Sequence, residues 1–262
     1  MEKYQNIISP ISQELEQCKT IYRSACSENN PLLNSILDFI RQKEGKMMRP
    51  ILTLLCAKLF GDIDTKAVFT AVSYEFFHTA TLVHDDVVDE SNERRGQPSV
   101  NASFNNKRAV LIGDYILSRS LFCLSQADEA KLIGVVSQAA GSLADGELLQ
   151  LASNGRYQNT EDYLRIITNK TAALFRACAE SGAIISGACN EDIATMRLFG
   201  EYVGICFQIK DDLLDKEIDT EIANQMITKY TELAKSLLDK YPDTLVKQSL
   251  LDYVDYVSDR KF

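Results

Sequence analysis

The 262-residue sequence has little proline, five residues, and a modest twelve glycines. It carries no low-complexity stretch and no repeat at the period of a solenoid. So few breakers leave room for long regular elements. No apolar run approaches ~18 residues, which excludes an expected membrane span. The opening residues, MEKYQNIISPISQELEQ, mix polar and apolar side chains and lack the apolar core of a secretory leader, so a cytoplasmic location is expected. Histidine is nearly absent, with His78 and His84 alone, and the seven cysteines contain no CxxC pair. A zinc site is therefore not expected, and the thiols read as reduced and mostly buried. Positive charge is also short: the net charge is -9, which argues against nucleic-acid binding. It leaves an anionic substrate open, because local cations and bound metal can reverse the sign within a site.

What is present is helical periodicity. RPILTLLCAKLF, AVFTAVSYEFFHTATLVHDDVVDE, LIGVVSQAAGSLADGELLQLA and EDYLRIITNKTAALFRACAESGAIISG all read at helical spacing. Breaks are expected at Asn30-Pro31, Gly61-Asp62, Asn154-Gly155 and Asn190-Glu191. Nothing alternates at period two for long enough to make a sheet. Several helices are apolar on most faces, as inner helices of a large bundle are. The residues are 45% hydrophobic, enough for one sizeable core. The expectation is an all-α, single-domain bundle of about ten helices.

Two acidic clusters stand out. Asp85 and Asp89 lie four residues apart, about 40° from each other on a helix, with Asp86 beside them. Asp211, Asp212 and Asp215 repeat the pattern, and each cluster ends a long apolar approach. Either alone reads as a solvated helix end. As a pair they suit magnesium, which takes oxygen ligands, keeps several waters and is shared with substrate phosphates. Metal also relieves the repulsion among the aspartates. Cations accompany them: Arg94 and Arg95 just after the first cluster, Lys46 and Arg49 around the start of an earlier helix, and Lys170 beside Thr171 in mid-chain. Arginine grips phosphate oxygens as a fork and lysine acts as a point charge. The set offers metal for one diphosphate and direct cations for another.

GKMMRP (45–50), the His78 helix leading into DDVVD (85–89), RRG (94–96), GDYILSRS (113–120), GELLQ (146–150), NKTAALF (169–175) and FQIKDDLLD (207–215) together resemble the trans-isoprenyl diphosphate synthases. The match in order and chemistry runs from about residue 30 to 216, and the C-terminal SLLDYVDYVSDRK is similar to that family's last helix. The resemblance implies a central cavity within the all-α fold and a homodimer. It implies condensation of isopentenyl diphosphate onto an allylic diphosphate such as farnesyl diphosphate, giving a membrane-soluble product. It implies up to three magnesium ions on the allylic diphosphate, ligated by Asp85, Asp89 and Asp211, with Asp86, Asp212 and Asp215 in support. Arg94, Lys170, Thr171 and Gln208 would meet that diphosphate. Lys46, Arg49, His78 and Arg95 would hold isopentenyl diphosphate. Ala80 and Thr81 are small where bulky aromatics would stop chain growth, so a medium- or long-chain product is expected.

The chain departs from the family pattern after Asp215. KEIDTEIANQMITKYTELAKSLLDKYP already looks like the near-terminal helices, so relative to that pattern an internal segment is missing after about residue 219. That leaves a non-catalytic partner subunit of a heteromeric synthase as a rival reading. A class I terpene cyclase is a second rival, and the cations of the second diphosphate site argue against it.

Overall fold

The computed structural model describes residues 2–26, 29–42, 45–153 and 159–259. In chain order these form α1 (Glu2–Ile8), a 3-10 turn (Ser9–Ile11), α2 (Ser12–Ser24), α3 (Pro31–Arg41), α4 (Met48–Phe60) and α5 (Thr65–Val88). The strands β1 (Glu93–Arg94) and β2 (Gln97–Pro98) precede α6 (Val100–Phe104), α7 (Asn106–Ala127) and α8 (Ala130–Ala152). Then come α9 (Thr160–Ile167), a π-helical turn (Thr168–Ala172), α10 (Ala173–Ile185), α11 (Asn190–Leu214), α12 (Thr220–Ser236) and α13 (Leu245–Asp259). Ten of these helices, among the described residues, have eleven residues or more, matching the expected bundle. The short α1 and α6 were not foreseen. Neither was the two-residue hairpin β1–β2, which is too short to leave an alternating pattern.

The helix starts follow local chemistry. The Asn30 side chain accepts from the Leu33 N–H, with Pro31 in the first turn. Asp64 caps α5 through the Ala67 N–H at 2.9 Å. Asp219 caps α12 through the N–H groups of Glu221 and Ile222. Gly61 ends α4, and α11 begins at Asn190, both as the breaks predict. The expected break at Asn154-Gly155 lies outside the described residues.

The centre is built from α4, α5, α10 and α11. Glycine sets their separations. A Cβ on Gly182 of α10 would sit 2.4 Å from the Thr53 carbonyl of α4. One on Gly204 of α11 would sit 2.5 Å from the Ala172 Cα. Tyr74 and Ser181, both fully buried, join α5 to α10 by a 2.6 Å hydrogen bond between their hydroxyls. This close packing fixes where α5 and α11 end. Each ends on an aspartate cluster. Among the described residues no helix is long and apolar enough to cross a membrane.

Gly182→Ala drives a methyl into backbone that cannot move away, so a loss of about 1–3 kcal/mol of stability is expected, read by urea unfolding. An unchanged midpoint would show that the α4–α10 approach is slack.

Candidate active site

The ends of α5 and α11 face a common cavity of about 520 Å³. Asp85, Asp89 and Asp211 line it, as do Arg49, His78, Arg94, Arg95, Lys170, Thr171 and Gln208. Lys46 lies in an adjoining cavity of about 340 Å³ that shares Arg49, His78 and Arg95 with the first. Most residues singled out by sequence therefore meet in one place.

Asp86, Asp212 and Asp215 do not line that cavity. Asp86 is buried and accepts from Arg94 Nε at 2.8 Å. Asp212 is buried and accepts from the Tyr163 hydroxyl at 2.6 Å and from Gln208 Nε2 at 2.7 Å. Both carboxylates hold neighbouring side chains. Burial pushes both upward from the usual carboxylate range, and these hydrogen bonds oppose the shift. Asp215 is exposed and ends α11, its N–H donating to the Asp211 carbonyl at 2.9 Å.

Lys170 sits in the π-helical turn, which adds a residue to the helix and swings this side chain toward the cavity. Its ammonium is held by Glu147 at 2.7 Å and by Gln150 at 3.0 Å. Gly146 lets the two backbones approach, since a Cβ there would lie 2.6 Å from the Lys170 backbone nitrogen. Thr171 donates to Gln208 Oε1 at 2.6 Å, which orients the amide that in turn holds Asp212. Tyr163, Glu147 and Gln150 were missed by sequence. GELLQ was recognised as a motif, but nothing in its spacing shows which lysine it holds.

The hairpin explains RRG. Arg95 and Gly96 both have positive φ, 54° and 73°, as the two central residues of a type I′ turn require. For arginine this is a strained conformation, and it turns the side chain back over the α4 start. Gly45 leaves room there: a Cβ on it would come within 3.1 Å of the Arg95 guanidinium. Arg49 is buried with its guanidinium over the Phe175 ring, 4.9 Å from the centroid. Its Nε has no hydrogen-bond partner among the described residues. A buried, unsatisfied donor on a cation is costly unless an anion completes it. Burial, reinforced by Arg49, Arg95 and Arg94, holds His78 well below the usual imidazole range. It is neutral at physiological pH and acts as a hydrogen-bonding group rather than a charge.

Burial and the nearby Glu147 raise the Asp85 carboxyl to about 6. No preformed cluster of three metal-binding side chains occurs among the described residues. The donors facing the cavity are carboxylate oxygens on opposite walls. Such a set fits a hydrated magnesium ion that takes its remaining ligands from phosphate and water, and does not fit a closed zinc or calcium cage.

A third cavity, about 390 Å³ and mostly apolar, opens off the first and shares Thr81, Asp85, Leu143 and Lys170 with it. Ala80 and Thr81 line it, and so does Phe77 one turn deeper on α5. Phe76 instead stacks on Tyr22 with ring centroids 5.0 Å apart.

An all-α bundle with two facing aspartate-rich helix ends and a cationic annex is the architecture of isoprenoid synthases. The sequence pattern described as polyprenyl synthetase matches residues 30–237, and the chain belongs to that family. It is similar to octaprenyl diphosphate synthase of Escherichia coli, 40% identical over 191 residues covering 72% of this chain and 59% of the relative. The chain thus spans less than two thirds of that relative's length. Among solved structures it is similar to a decaprenyl diphosphate synthase from Rhodobacter capsulatus, with a TM-score of 0.88, 30% identity and 98% of both chains covered. It is also similar to a geranylgeranyl pyrophosphate synthase from Bacteroides thetaiotaomicron, with a TM-score of 0.84, 34% identity, and coverage of 99% of this chain and 100% of the other.

The raised Asp85 pKa has a sign that can be tested. The folded chain binds this proton more tightly than the unfolded one, so apo stability falls as pH rises from 3.8 through about 6. At neutral pH in a chelator, Asp85→Asn is expected to stabilise by about 1–2 kcal/mol, discounted for partial solvent access. The same variant is expected to lose the thermal shift that magnesium gives the wild-type chain. An Asp85→Asn protein that melts lower in chelator at pH 7.5 would contradict this electrostatic account.

Proposed function

We propose that the chain is a trans-prenyltransferase that condenses isopentenyl diphosphate with an allylic diphosphate to make a medium- or long-chain polyprenyl diphosphate. The observation that carries this reading is the joining of three spaces: a carboxylate-faced cavity that meets an apolar pocket at Thr81, Asp85 and Lys170 and a cationic annex at Arg49, His78 and Arg95. Asp85, Asp89 and Asp211 would hold magnesium, with up to three ions on the allylic diphosphate. Bound magnesium would neutralise charge on the departing diphosphate. Lys170 and Arg94 supply direct cations to the same group, and fixed charges of this kind are the largest catalytic term available.

Lys46, Arg49 and Arg95 hold isopentenyl diphosphate in the annex, with neutral His78 donating or accepting a hydrogen bond. The allylic C–O bond breaks and its electron pair leaves with the diphosphate. The isopentenyl double bond attacks the resulting cation. A proton is then lost to the released diphosphate, so no protein base is required. Leu82, Leu143 and Leu174 wall the first cavity with side chains that cannot trap the cation. The growing chain enters the apolar pocket past Ala80 and Thr81, and Phe77 is the first bulky side chain on α5 along that path. The names of the octaprenyl and decaprenyl relatives support a product of this class.

The non-catalytic subunit reading draws on one observation. The connection from α11 to α12 is short, residues 215–219, and Glu217 N–H closes it onto the Asp212 carbonyl at 2.8 Å. An added segment at this position would bring further cations over the diphosphates. The second cavity with its orphaned Arg49 donor argues against a cyclase, which has no second diphosphate to bind.

The purified chain, given magnesium, farnesyl diphosphate and labelled isopentenyl diphosphate, is expected to yield a ladder of products beyond the C20 length. Thr81→Phe is expected to shorten that ladder while Asp211→Asn abolishes it. Magnesium-dependent binding of farnesyl diphosphate with no elongation would favour the non-catalytic subunit.

A further inference from the structure

We infer that Tyr4 of α1 and Tyr253 of α13 are positioning residues for the cationic annex: their hydroxyls hold the strained turn that brings Lys46 and Arg49 to one anion. The inference rests on the proposed function only in naming that anion as the diphosphate of isopentenyl diphosphate.

The start of α4 lacks the device that other helices use. Asn30, Asp64 and Asp219 cap α3, α5 and α12 with side-chain oxygens. Met47 stands at the same position of α4, and its side chain caps nothing. Pro50, in the first turn, removes one N–H that a cap would serve. Met47 also has φ 54° and ψ 36°, a left-handed conformation that a residue with a Cβ adopts only at a cost. A right-handed Met47 would run α4 farther back and turn Lys46 in another direction. The left-handed turn instead leaves Lys46 and Arg49 on one cavity, with Gly45 against the Arg95 guanidinium. Strain of this kind persists only where the surroundings over-determine it.

Here the surroundings come from two helices distant in sequence. The Tyr4 hydroxyl donates to the Lys46 carbonyl at 3.1 Å. The Tyr253 hydroxyl donates to the Met48 carbonyl at 2.9 Å. Between them the Met47 carbonyl accepts from the Ile51 N–H at 3.0 Å. Three consecutive carbonyls are thus held. The first two belong to the peptide planes that flank Met47, and the third to the plane leading into Arg49. The Met47 side chain is buried as well, which anchors the middle of the turn. Neither tyrosine lines the annex, so each acts through the backbone of residues that do.

Helices α1 and α13 form one support. The Ser249 hydroxyl of α13 donates to the Asn6 carbonyl of α1 at 3.2 Å, and the rings of Tyr4 and Tyr256 lie 6.3 Å apart. α13 packs along α4, and α1 packs on α13. The exposed Lys46 ammonium rests over the Tyr256 ring, 5.4 Å from its centroid. A cation–π contact at an exposed site is weak, so a diphosphate draws the ammonium away readily. Burial, then the neighbouring Tyr256, Glu16 and Glu75, raises the Tyr4 hydroxyl above its usual range, so it stays protonated and donates at physiological pH.

The test is titration calorimetry with isopentenyl diphosphate in chelator, where the carboxylate-faced cavity has no metal with which to hold a diphosphate. Tyr4→Phe and Tyr253→Phe each remove one hydroxyl and keep the ring. Each is expected to weaken isopentenyl diphosphate about tenfold, and half-buried Tyr4→Phe to do so with its melting temperature retained. In turnover the KM for isopentenyl diphosphate is expected to rise by the same factor, while kcat and the KM for farnesyl diphosphate stay within about twofold. Lys46→Ala supplies a further readout. Tyr4 acts through Lys46, so adding Tyr4→Phe to Lys46→Ala is expected to weaken binding by less than about twofold. The full loss persisting in the Lys46→Ala background overturns the inference. So does an equal rise in both KM values, or a lower melting temperature with isopentenyl diphosphate affinity unchanged. If the wild-type chain binds isopentenyl diphosphate but transfers no prenyl group, and the two variants still weaken that binding, the functional reading falls and this inference stands.

Discussion

Like charges must be held face to face without collapsing or drifting apart, and the rest of the structure serves that constraint. Carboxylates on the ends of α5 and α11 would separate if the helices could slide. The packing behind them prevents it. α4, α10 and α11 meet through glycines that admit backbone to within van der Waals contact. The Tyr74–Ser181 bond pins α5 to the same core. Burial first, then the fields of Glu147 and Asp89, raise the Asp85 carboxyl to about 6. A site under that strain is poised for a cation.

The remaining polar side chains fall into two groups. Asp86, Asp212, Glu147 and Gln150 hold Arg94, Gln208 and Lys170 in position. Asp85, Asp89, Asp211, Arg49, Arg95 and Lys170 present charge to the cavity. Division of labour within a DDxxD run follows from the helix itself. Residues four apart share a face, while the residue between them points elsewhere. Asp86 and Asp212 occupy that intermediate position in their clusters, and both are buried against partners instead of facing the cavity.

Much of this was legible in the sequence. The helices and the two clusters follow from periodicity and spacing, because a 3.6-residue repeat is a local property. The convergence of Lys46, Arg49, Lys170 and Asp211 rests on the family resemblance, since no local signal brings residues so distant in sequence together. Three features were not legible. The π-helical turn at Thr168–Ala172 arises where α10 packs on α8 and α11, which periodicity cannot register. The hairpin around Arg95 is too short to alternate. Tyr163 looks like an ordinary core residue until Asp212 is seen beside its hydroxyl.

The central claim is that Asp85, Asp89 and Asp211 act together on one metal-bound diphosphate. The most direct measurement is anomalous diffraction from crystals grown with manganese and a non-ionisable allylic diphosphate analogue. The account predicts anomalous peaks between the two helix ends, with carboxylate oxygens of Asp85 or Asp89 on one side, Asp211 on the other, and phosphate oxygens completing each shell. A diphosphate bound by Arg94, Lys170 and Arg95 with no metal between it and the aspartates would contradict it.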